Sequence, residues 1–141
     1  MKDRTRLARI VLVKQRERDQ RKVDMARAAQ RLRAAEDEVA RLAQARDRLS
    51  RQLAMPGTHS ARDLMSGAAV LAQTRHALAA AHERLAELEK NHARTAARVA
   101  ESAREIAALD KVRDRMRAQE IEKQDRIEQN LMDEAARRRA S

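Results

Sequence analysis

A chain of 141 residues is one structural unit's worth of sequence, and 43% of it is hydrophobic although Phe, Trp, Tyr and Cys are all absent. Two Gly and one Pro cannot punctuate a fold with many turns, and β-rich cores lean on aromatics, so sandwiches, barrels and alternating α/β folds are excluded. The charged fraction of 38% and the net charge of +10, in a chain dominated by Ala, Leu, Arg and Glu, leave long helices or a coiled coil.

The first predicted helix runs over about residues 3–54. Steps of alternating three and four trace a seam through Leu7, Val11, Lys14, Arg18, Arg21, Met25, Ala28, Leu32, Ala35, Val39, Leu42, Arg46, Leu49 and Leu53. Lys14, Arg18 and Arg21 are its weak stretch. Their aliphatic stems are expected to cover apolar surface while the charges reach water or Glu101 and Glu105.

A turn over residues 55–60 follows, Met55-Pro56-Gly57-Thr58-His59-Ser60. Pro56 lacks an N–H and disfavours helix at Met55, while Gly57 supplies backbone freedom. Ser60 precedes Asp63 by three, the spacing of a capping box with Asp in place of Glu.

The second predicted helix spans about 61–138. Its seam runs through Leu64, Gly67, Leu71, Thr74, Leu78, Ala81, Leu85, Leu88, His92, Thr95, Val99, Ser102, Ile106 and Leu109. One short connection makes the two helices antiparallel neighbours. The expected fold is therefore all-α, an antiparallel two-helix coiled coil (αα-hairpin) with a longer C-terminal helix, a rod in solution. Folding about Pro56-Gly57 sets Leu7 opposite roughly residue 108, which predicts a helix without a partner beyond about 109. That overhang holds nine basic and eight acidic residues, and few large apolar ones: Val112, Met116, Ile121, Ile127, Leu131 and Met132.

Ten basic against four acidic side chains crowd residues 1–27. A basic end of this kind suits an acidic partner: nucleic acid, an anionic membrane surface or an acidic protein groove. Phosphate contacts need only such a stripe, so a basic nucleic-acid-binding coiled coil is one alternative. No aromatic is present to stack a base, and no helix-turn-helix or zinc finger is readable. No apolar run reaches the length of a membrane span, and the apolar patch at Ile10 to Val13 is too short for a signal-peptide core. The four His (His59, His76, His82 and His92) lack the i, i+4 pairing that sets two imidazoles on one face. With no nucleophile motif and no Gly-rich phosphate loop, neither catalysis nor a cofactor or metal is expected.

The C-terminal stretch Ile127-Glu128-Gln129-Asn130-Leu131-Met132-Asp133-Glu134-Ala135-Ala136-Arg137-Arg138 resembles the terminal signature of the FliJ family, the flagellar export stalk proteins. Leu7-Ala8-Arg9-Ile10, Val13-Lys14-Gln15-Arg16-Glu17 and Ala35-Glu36-Asp37-Glu38-Val39 are similar too, as are the single central turn and the longer second helix. The YscO-type stalks of virulence secretion systems share this layout and are the other alternative.

The resemblance implies a cytoplasmic component of flagellar type III protein export, in the setting of flagellum biogenesis and chemotaxis. It implies a non-catalytic stalk whose open end inserts into the hexameric export ATPase and activates it. Ring contacts implied by position are Met116, Ile121, Ile127, Leu131, Met132, Asp133, Glu134 and Arg137. A second implied partner is the cytoplasmic domain of the export gate, a membrane protein that would hold the stalk peripherally at the inner membrane. Its stripe falls on Glu38, Leu42, Ala45 and Leu49 in the first helix and Leu71, Arg75, Leu78 and His82 in the second. Export chaperones are further implied partners, and no direct membrane insertion is expected.

Overall fold

The computed structural model describes residues 2–57 and 59–140; Met1, Thr58 in the turn and Ser141 at the end of the overhang lie outside the described residues. Two helices account for almost all of them, α1 (Lys2–Ala54) and α2 (Ala61–Ala140), and the protein is an all-α helical hairpin. Neither helix is interrupted, as expected of stretches rich in Ala, Leu, Arg, Glu and Gln.

The boundary between the helices has a visible chemistry. The Met55 amide donates back to the Gln52 carbonyl at 3.4 Å as α1 closes, and Pro56 follows. Ser60 then caps α2: its Oγ accepts from the Asp63 amide at 3.1 Å, and its carbonyl accepts the first helical bond from the Leu64 amide. Removing that hydroxyl leaves an N-terminal amide without its acceptor. Ser60→Ala should therefore lower stability by about 1 kcal/mol, read as a shift in the urea midpoint at unchanged slope.

The chain divides into two compact units, Arg21–Val99 and Met1–Gln20 with Ala100–Ser141. In the unit that contains the turn, the two helices run antiparallel. Leu53 lies against Gly67, where an added Cβ would meet the Leu53 Cδ2 at 2.5 Å. At the other end of this unit the Arg21 guanidinium donates to the Arg98 carbonyl at 3.1 Å. Ala28, Ala35 and Leu78 are buried, as is Thr95. The seam hydroxyls are satisfied locally: Thr74 donates to the Val70 carbonyl and Thr95 to the His92 carbonyl, each at 2.9 Å.

The other unit also pairs its helices in antiparallel sense. Val11, Ser102 and Ile106 are buried, and Lys14 reaches Glu105 at 3.1 Å and Glu17 at 3.4 Å. The hydrogen bond and field of Glu105, with the field of Glu17, raise the Lys14 pKa above its ordinary value. Near the start of α1, Arg4 Nη1 meets Glu120 Oε2 at 2.6 Å.

All fourteen seam positions of α1 are buried or half-buried, and so are those of α2 except Leu64, which sits exposed in the first turn after Ser60. Burial is nevertheless shallow. Among the described residues no side chain is more than 98% buried, and the deepest are the small Ala28 and Ser102 at 2% exposure. In each unit only two helices meet, so leucines between them keep a solvated edge.

Pairing in this unit also extends further than the expected limit near residue 109. Arg113, Met116 and Glu120 continue the three-four spacing and are half-buried, and every described residue from 121 onward is exposed. The expectation followed apolar residues, whereas two of the three half-buried positions here are charged, Arg113 and Glu120, and Glu120 is held by Arg4. The overhang is residues 121–140, about 30 Å of helix.

Candidate functional site

The first candidate surface is the overhang. Beyond Glu120, α2 has no α1 beside it, yet it still carries large apolar side chains. Ile121, Ile127, Leu131 and Met132 are 59%, 53%, 60% and 74% exposed. Ile127 and Leu131 are four apart and share one face; Ile127 continues the seam and Leu131 borders it. Around them Asn130, Asp133, Glu134 and Arg137 line a shallow groove along the helix. Arg126 is tied to Glu122 one turn back at 2.8 Å. Met116, assigned to the same surface from sequence, lies instead on the paired seam and is half-buried. The result is an apolar strip with charged borders.

The second candidate surface lies in the unit that contains the turn. Leu42, Ala45, Leu49 and Leu71 are half-buried there, and Leu78 is 6% exposed. These side chains hold the two helices together. Glu38, Arg75 and His82 are exposed and flank them. Glu38 receives two hydrogen bonds from Arg41, at 2.7 and 3.0 Å. Those bonds, with the fields of Arg41 and of Arg84 on α2, hold the Glu38 carboxyl below its ordinary pKa. Arg31, Glu38 and Arg84 rim a shallow groove floored by Ala34, Ala35 and Ala81, where small seam residues leave room between the helices. This groove was not visible in the sequence as a surface; the signal for it was the small size of Ala35 and Ala81 at their seam positions.

At the basic end, Lys2, Arg6 and Arg9 line an open groove with Thr5, and Ile10, Leu12 and Val13 are exposed nearby. Among the described residues, no group of three or more His, Asp or Glu is placed to hold a metal ion. No described helix is long and apolar enough to cross a membrane.

Comparison with known proteins gives one match. The family model described as Flagellar FliJ protein matches residues 1–141, the full length given. No curated protein matches the chain, and no solved structure matches it.

Proposed function

From the premise that the chain belongs to the FliJ family, a flagellar export stalk component, we propose that its overhang inserts into the hexameric export ATPase and activates it. The observation that carries this reading is the unequal length of the two helices. Residues 121–140 are helical and exposed, and they present Ile127 and Leu131 with no part of α1 over them among the described residues. A polar helix of this length is marginal by itself in water. A ring with an apolar collar supplies what it lacks, and burying each large side chain there is worth roughly 1.5–3 kcal/mol. Asp133, Glu134 and Arg137 would orient the helix through charge-assisted hydrogen bonds to the ring.

In the same reading the unit that contains the turn meets the cytoplasmic domain of the export gate. Glu38, Arg75 and His82 make the contact, and Leu42, Leu49, Leu71 and Leu78 keep the helices in place beneath them. Such a contact links the ATPase to the gate and holds a cytoplasmic protein peripherally at the membrane, where escort of export chaperones also belongs.

The test is a chain ending at Glu120, which keeps every seam contact. It should retain its helical hairpin by circular dichroism, yet fail to raise ATP hydrolysis by the purified export ATPase above the rate of the ATPase alone. Full stimulation by the shortened chain would overturn the reading.

A further inference from the structure

The seam does not end where α1 ends. Stepping onward from Leu109 passes through Arg113, Met116 and Glu120, all half-buried, and then reaches Lys123, Ile127, Asn130 and Glu134, with Leu131 beside Asn130. Up to Glu120 this face of α2 is covered by α1; beyond it the same face is bare. A helix face built to seam spacing but lacking its second strand accepts another helix of the same spacing. The charges along it are ordered. Lys123 and Arg126 precede the apolar pair Ile127 and Leu131, and Asp133 and Glu134 follow it.

We propose that this face pairs with the same segment of a second copy of the chain, antiparallel, about a two-fold axis near residue 129. Ile127 of each copy then meets Asn130 of the other, with Leu131 of that copy beside it. Lys123 faces Glu134, and on the flank Arg126 faces Asp133. A two-fold contact repeats every pair, so each occurs twice. Parallel pairing would set Lys123 against Lys123 and Glu134 against Glu134, which like-charge repulsion disfavours. The charge order therefore selects both the occupant and its direction.

The contact is small. Two helices of about 20 residues, each with two large apolar side chains on the shared face, fall below the roughly 1,000 Å² of a stable interface. The dimer is accordingly weak and concentration-dependent. Its apolar strip is the one that the ATPase reading assigns to the ring, so self-pairing and ring entry exclude each other. The dimer itself does not rest on that reading, because it is a property of the chain alone.

Sedimentation velocity of the full chain over a concentration series should show reversible dimerisation. Lys123→Glu and Glu134→Lys, both at exposed positions, each create two like-charge contacts and should weaken the dimer by about tenfold. The two changes combined restore opposite signs and should recover the original constant to within about threefold. Direction is read separately, since the chain has no Cys. Lys123→Cys mixed with Glu134→Cys should give a disulfide-linked heterodimer on oxidation, while neither variant alone should link to itself as fast. A chain that stays monomeric throughout, a combined variant no better than the single ones, or self-linking of Lys123→Cys at the heterodimer's rate would overturn the proposal. None of these measurements contains the ATPase, so their failure leaves the ring reading untouched, and the reverse holds too.

Discussion

Aspartate at both Leu131 and Met132 is expected to abolish stimulation of the export ATPase while leaving the hairpin as stable as before. Both side chains are exposed in the free protein, at 60% and 74%, so the folded chain loses almost nothing when they become polar. The penalty arises only on docking. A carboxylate carried into an apolar collar without a partner costs several kcal/mol, against the roughly 1.5–3 kcal/mol that each native side chain would gain there on the proposed docking. A loss of about 4 kcal/mol weakens association on the order of a thousandfold. ATP hydrolysis titrated with each variant, alongside thermal melts, checks both halves of the expectation. Unchanged stimulation would remove the overhang from the interface.

The opposite balance is expected at Leu78. This leucine is only 6% exposed, one of five buried hydrophobic residues among those described. Leu78→Ala should cost about 2 kcal/mol, the low end for a buried leucine, because an open seam relaxes around the gap. Leu78→Asp adds an unpaired carboxylate and should reach roughly 4 kcal/mol. For a chain of this size that is a fall in Tm of about 15 °C, measurable by circular dichroism. Leu78→Met keeps the volume and should stay within about 1.5 kcal/mol of the native chain. A melt unmoved by Leu78→Asp would mean that the helices do not pack through this residue.

The paired face was legible because a three-four spacing survives even when the residues on it are small or charged. Ala28, Thr95 and Ser102 sit on the buried side where the spacing put them, although none is a strong hydrophobic signal. The family was legible through a dozen residues at the C-terminal end, and the match covers residues 1–141. The reach of the pairing was not legible. Arg113 and Glu120 read as solvent-facing by composition, and only the structure shows Glu120 held by Arg4. Leu64 erred the other way, since a leucine in the first turn of a helix lies beside a loop rather than a neighbour. The stripe expected from the resemblance to meet the gate mixed two kinds of residue that sequence could not separate: Leu42, Leu49, Leu71 and Leu78 close the seam, and Glu38, Arg75 and His82 face outward.

The shallow seam has a thermodynamic consequence. Heat capacity rises on unfolding in proportion to the apolar surface newly exposed to water, and falls with the polar surface exposed. A hairpin whose deepest positions are an alanine and a serine, and whose leucines already keep an edge in solvent, has little apolar surface left to reveal. Its heat-capacity increment per residue therefore lies below the 12–15 cal/mol/K or so of ordinary domains. Less curvature follows: the free energy of unfolding varies more nearly linearly with temperature, and cold denaturation recedes. Such a protein has a broad, flat stability curve instead of standing on a narrow optimum.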